Sequence, residues 1–124
     1  MQKLLLVFIG GGIGATTRYG TNLLAVKLFG TGFPWGTLLV NLSGCFLIGV
    51  SLALSERSNL MPAATRLFFV TGFLGGLTTF SSYALETVVG ARAGASLPLA
   101  NIIGNNVAGL ALVLSGAKLT SWIL

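Results

Sequence analysis

Apolar residues run along this chain in four long blocks, broken only by small or hydroxylated side chains. The first extends from about Leu4 into the twenties and the second from about Trp35 to Leu54. The third covers about Leu67 to Val89 and the fourth about Leu97 to Ile123. Roughly 20 apolar residues make a helix as long as the hydrocarbon core of a bilayer is thick. Lipid offers backbone groups no partners, so blocks of this length predict helices, whose hydrogen bonds are internal. Short joints separate them: Gly30 to Pro34, a polar stretch over 55–66 containing Pro62, and a Gly/Ala segment over 90–96 ahead of Pro98. The pattern predicts an all-α membrane protein, one domain over residues 1–124, with four transmembrane helices at about 4–28, 35–54, 67–89 and 97–123. The start, Met1 to Ala15, also has the order of a signal peptide: a lysine, an apolar run, then small residues. Apolar character continues beyond Ala15, and the glycine cluster from Gly10 to Gly14 makes a poor signal core. The segment is therefore taken as a first helix.

Composition agrees with the pattern. The 124 residues are 54% hydrophobic and 7% charged, whereas a soluble domain carries about a quarter of charged residues. Histidine is absent, the acids are Glu56 and Glu86, and no nucleophile–base pair or metal-ligand spacing points to an enzyme. The formal charge of +5 comes from seven cations scattered singly: Lys3, Arg18, Lys27, Arg57, Arg66, Arg92 and Lys118. Nucleic-acid binding needs such charges clustered on a stripe, so none is expected; contact with anionic lipid headgroups explains them. Cys45 stands alone inside an apolar run and reads as a small packing residue.

With four crossings, both termini and the 55–66 joint share one side, which collects Lys3, Arg57, Arg66 and Lys118. Arg18, Lys27 and Arg92 fall on the other. Orientation in a membrane follows a bias in Lys and Arg, and four against three is almost none. The chain is expected to insert both ways round and to pair as an antiparallel dual-topology homodimer. The bland alternative is that a bias of one charge suffices.

Small residues four apart, Gly10 with Gly14 and Gly11 with Ala15, allow close helix packing. Gly36, Val40 and Gly44 continue the theme on the second block, and Gly104, Ala108 and Gly109 on the fourth. Thr37, Asn41 and Gly44 share one face of the second helix. A mid-membrane Asn41 amide is either interhelical glue or a donor to a partly dehydrated anion. In the third block, Gly75-Gly76 followed by Thr78-Thr79 predicts a break in the helix. Carbonyls freed by a break are hard oxygen ligands suited to a small cation such as Na⁺. Thr78, Thr79, Ser81 and Ser82 add hydroxyl donors, and Phe80 and Tyr83 share a face that can turn partly positive ring edges to an anion. Arg18 and Glu86 both sit towards the same side, which suggests an ion pair; alternatively Arg18 lines an aqueous vestibule and draws anions in.

Three strings, in order and with matching spacing, resemble the bacterial fluoride channels of the Fluc/CrcB family. They are Gly11-Gly-Ile-Gly-Ala-Thr-Thr-Arg18-Tyr19, Gly36-Thr-Leu-Leu-Val-Asn41-Leu-Ser-Gly44 and Gly72-Phe-Leu-Gly-Gly-Leu-Thr-Thr-Phe80-Ser-Ser. The fourth block matches more loosely, through Gly104 and Gly116. The resemblance implies a multi-pass protein of the bacterial inner (plasma) membrane, an antiparallel homodimer with two pores that exports fluoride passively. It implies that Asn41 and Phe80 line each pore, with Ser81, Ser82 and Asn105 on a polar track and Arg18 near the aqueous entrance. It also implies a structural Na⁺ at the dimer centre, held by the main-chain carbonyls of Gly75 and Thr78. At position 83 the family usually has a second phenylalanine, and this chain has Tyr83, whose hydroxyl adds a donor.

The competing readings are a small proton-coupled multidrug exporter and a bundle that only assembles other membrane proteins. The exporter needs a mid-membrane carboxylate, yet the first block has no acid, Glu56 falls in a joint and Glu86 comes late in the third. The assembly subunit explains the glycines but neither Asn41 nor the polar break.

Overall fold

The computed structural model describes residues 1–57, 60–94 and 97–124, the Arg57 side chain excepted. Parts of two predicted joints, 58–59 and 95–96, and the Arg57 charge of the orientation count thus lie outside the described residues. The first helix, α1, spans Gln2–Phe29 and stops where Gly30 takes φ +77°, a conformation open to glycine. Helix α2 spans Trp35–Arg57, just after Pro34. The third span is two half-helices: α3 over residues 63–77 and α4 over Phe80–Arg92. The last helix, α5, covers Leu97–Ile123. No strand occurs among the described residues.

Three helical stretches among the described residues are both long and apolar enough to cross a membrane: Trp35–Glu56, Ala63–Arg92 and Leu97–Ile123. At 28 residues α1 has the length, but its glycines, threonines and Arg18 dilute its apolar average. Of the four predicted crossings, three therefore meet both measures and the first meets length alone.

The predicted break is present, shifted within its string. Gly75 and Gly76 stay helical, and Thr78 (φ −84°, ψ 157°) and Thr79 (φ −154°, ψ 122°) carry the extended backbone. β-Branched threonine accepts extended backbone readily, whereas the glycine has another duty. A Cβ at Gly76 would run into the Gly11 carbonyl of α1. Two features the sequence does not announce are wide π-helical turns, Leu67–Leu74 in α3 and Gly104–Ala108 in α5. Such turns are frequent at functional sites.

Two glycine seams hold the bundle. On α1, Gly10 and Gly14 lie against the Phe68 and Phe73 carbonyls of α3, and Gly72 returns the approach with Gly10 Cα only 3.0 Å from where its Cβ would stand. Helices α2 and α5 meet through Gly49 against the Val113 carbonyl and Gly116 against the Phe46 carbonyl. The small residues expected on α2 work elsewhere: Gly44 faces the Thr78 methyl and Gly36 faces Asn22. A small apolar core of Val40, Leu74 and Leu77 joins α2 to α3, with Leu47, Phe69 and Phe73 packed around it. The remaining apolar surface is outward, as a lipid-facing helix bundle requires.

Gly14→Val and Gly116→Val should each lower stability in detergent by about 3 kcal/mol, because the new side chain meets backbone. Gly20→Ala, where nothing lies within 4 Å, should leave stability unchanged or raise it by up to about 1 kcal/mol. Reversible unfolding of the three variants in mixed micelles measures the difference, and equal midpoints would remove the seams as the source of stability.

Candidate functional site

An interrupted helix leaves carbonyls bare at one end and amides bare at the other. Here a bare group at each end finds a partner. At the C-terminal end of α3, the Thr78 carbonyl accepts from Arg18 Nη1 at 3.2 Å. A cation suits that end, where the helix dipole is negative. At the N-terminal end of α4, Thr79 Oγ1 caps the helix by accepting from the Ser82 amide at 3.2 Å. Thr79 Oγ1 also donates to Ser82 Oγ at 3.2 Å and lies 3.3 Å from Ser81 Oγ, so three hydroxyls cluster there.

Asn41 closes the gap between the halves. Its Oδ1 accepts the Thr79 amide at 2.8 Å, and its Nδ2 donates to the Thr79 carbonyl at 3.0 Å. The second Nδ2 hydrogen goes to Asn105 Oδ1 at 2.7 Å. Asn105 in turn donates to the Asn101 carbonyl and to Asn101 Oδ1, and Asn101 Nδ2 donates to Thr87 Oγ1 at 2.9 Å. Side chains of α2, α5 and α4 thus share one polar chain, with Asn101 only 1% exposed at its middle.

A cavity of about 350 Å³ lies beside the break, walled by Asn41, Thr78, Thr79, Phe80, Tyr83, Asn105 and Asn106 with apolar residues of α2 and α3. No charged side chain among the described residues lines it. The Phe80 and Tyr83 rings are tilted at 59° with centroids 5.4 Å apart, and Phe80 is 76% exposed on the outer face of the bundle. A second cavity, about 530 Å³, opens between the Gly30–Pro34 joint and the facing ends of α1, α2, α4 and α5. Asn22, Thr37, Glu86 and Asn101 supply its polar wall.

Most of the residues singled out in the sequence therefore gather around the break. Asn41, Thr79, Phe80, Tyr83 and Asn105 share the smaller cavity, together with Gly75 and Thr78. Ser81 and Ser82 sit one step away in the hydroxyl cluster, outside the cavity wall. Arg18 reaches the break rather than the large cavity, to which α1 contributes Asn22, Ala25 and Val26. The expected Arg18–Glu86 ion pair does not form. Glu86 Oε1 accepts from Thr37 Oγ1 at 2.7 Å, and Oε2 is buried with no partner among the described residues. The reason is axial: Arg18 stands level with Thr78, and Glu86 comes eight residues later, about 12 Å along a helix.

The sequence passes over Asn101, Asn106 and Asn22. The three asparagines Asn101, Asn105 and Asn106, two of them adjacent inside an apolar block, were the available signal, because an amide in lipid needs a partner.

Helices of this apolarity, a break whose ends are capped by neighbouring helices, and part-buried amides at its level define a multi-pass membrane protein. A family model described as CrcB-like protein, Camphor Resistance (CrcB), matches residues 5–117, and the chain belongs to that family. A protein of Azobacteroides pseudotrichonymphae named Fluoride-specific ion channel FluC is 43% identical over 98% of this chain and 98% of its own length. The proteins of that name from Xanthomonas euvesicatoria and Chloroflexus aurantiacus are each 40% identical, covering 99% and 98% of this chain and 93% and 98% of their own lengths.

Asn41→Leu should strand the Thr79 amide, whose partner is Asn41 Oδ1, and lower stability by about 1–3 kcal/mol. Unfolding in mixed micelles reads this directly. An unchanged midpoint would mean that Thr79 finds other partners and that the amide does not hold the break.

Proposed function

We propose that this chain is a fluoride channel that lets the ion leave the cell passively. What carries the reading is identity of 40–43% over nearly the whole chain to relatives named fluoride-specific ion channels. The chemistry of the smaller cavity supports it. Fluoride is small and tightly hydrated, so a path through lipid must replace its water with donors without gripping it. A fixed cation at the narrowest point would hold the ion; the cavity wall offers amides, hydroxyls and ring edges instead.

In this reading Asn41, Phe80, Tyr83, Thr79, Ser81, Ser82 and Asn105 line the pore. Both Asn41 amide hydrogens already have acceptors, Thr79 O and Asn105 Oδ1, so the ion takes one by displacing the Asn105 oxygen. The N-terminal end of α4 adds the favourable end of a helix dipole for an anion. The larger cavity serves as the aqueous approach, and Arg18 contributes a positive field from the level of the break.

The pore is completed by a second copy in the opposite orientation, with α1 as a fourth crossing. Supporting this, Phe80, Gly75 and Ser81 lie on the outer face of one protomer, where a partner covers them. A Na⁺ ion at the two-fold axis, held by the Gly75 and Thr78 carbonyls of both copies, suits the donor set. The extended backbone sends the Thr79 amide to Asn41, so the Gly75 carbonyl lacks its usual acceptor role four residues on. The Thr78 carbonyl holds Arg18 on one lone pair and keeps the other. Bound there, the ion would neutralise carbonyl dipoles that otherwise face each other across the interface.

Vesicles of purified protein should release fluoride rapidly and chloride at the rate of empty vesicles; equal rates would end the selectivity claim. Replacing Na⁺ by a large organic cation throughout purification should abolish release. A cysteine added at the C-terminus in a Cys45→Ala background should be labelled by an impermeant reagent in about half the molecules from either face of the membrane. Labelling from one face alone would remove the antiparallel pair.

A further inference from the structure

Asn106 lies in the wide turn Gly104–Ala108 of α5, and its Nδ2 makes two hydrogen bonds. One goes to the Ile102 carbonyl at 2.9 Å and the other to Tyr83 Oη at 3.0 Å. The first fixes which way the amide points. A main-chain carbonyl only accepts, so the Asn106 atom facing it is the nitrogen and not the oxygen. The second hydrogen of that nitrogen then goes to Tyr83, whose hydroxyl oxygen is the acceptor. A phenol carries a single hydrogen, and this contact leaves it unused. Among the described residues no acceptor takes it.

Tyr83 and Asn106 both stand on the wall of the cavity beside the break. A phenylalanine there would present only a ring edge. An O–H whose oxygen accepts from an amide is polarised, which makes it a better donor than a phenol alone. A hydrogen bond to an anion is about twice as strong as one between neutral groups. We propose that Asn106 is a positioning residue that holds the Tyr83 oxygen as acceptor, so that the Tyr83 O–H hydrogen is presented to fluoride in this cavity. Tyr83 is then a full donor to the ion and not a second aromatic edge. The consequence is specific to this pair: fluoride is held more tightly at this position and leaves it more slowly. This proposal rests on the fluoride-channel reading.

The chain has two tyrosines, Tyr19 and Tyr83, so a Tyr19→Phe background reports on Tyr83 alone. With tyrosine labelled at ¹³Cζ, solid-state NMR of this background in vesicles should show a saturable shift on titration with fluoride and none with chloride. Asn106→Leu should require several-fold more fluoride for the same shift. In release assays, Tyr83→Phe should raise both the half-saturating fluoride concentration and the maximal rate several-fold, with Asn106→Leu changing both in the same direction. A merely structural role would slow release without moving the resonance. If vesicles release fluoride while the Tyr83 signal ignores it, or follows chloride equally, the donor role is lost and the channel reading survives. If Asn106→Leu titrates like its parent, Asn106 has no positioning part. If the parent releases no fluoride at all, the channel reading itself falls.

Discussion

Asn41 binds both backbone groups of Thr79, and the interrupted third span depends on that pair of contacts. An extended segment at bilayer depth is tolerated only where its amide and carbonyl are satisfied by protein. A carboxylate would accept but not donate, and a hydroxyl is too short to bracket a peptide on both sides. An asparagine at this place on α2 does both with one side chain. Arg18 at the end of α3 and Thr79 at the start of α4 then complete the capping, each suited to the sign of its helix end.

From that bracket a polar chain extends inward. Asn41, Asn105, Asn101 and Thr87 link the wall of the smaller cavity to that of the larger one. Each of the four side chains serves as donor and acceptor at once. Glu86, outside that chain, has one oxygen bonded to Thr37 and one buried without a partner among the described residues. Its side chain lines the larger cavity.

The helices and the break were legible in the sequence because both rest on local chemistry: block length sets a helix, and Gly-Gly-Leu-Thr-Thr weakens one. The division of labour inside that string was not. Gly76 is helical because α1 needs its bare backbone, and only the position of Gly11 reveals this. The same limit explains Gly49, whose partner Val113 lies in another helix. Asn41 was legible as a costly amide, but its acceptors depend on register between helices. Arg18 and Glu86 share a side by counting along the chain, yet a separation of eight residues beyond the break keeps them apart.

The two glycine seams join helices that are not neighbours in the chain: α1 rests chiefly on α3, and α2 chiefly on α5. A ribosome delivers α1 and α2 first, when neither has its main partner. During that interval Thr37 and Asn41 are in place, but Glu86, Thr79 and Asn105 have yet to be made. The nascent hairpin therefore presents unmatched polar groups to lipid until the last helix arrives. The full set of polar partners exists only once the last helix is in place.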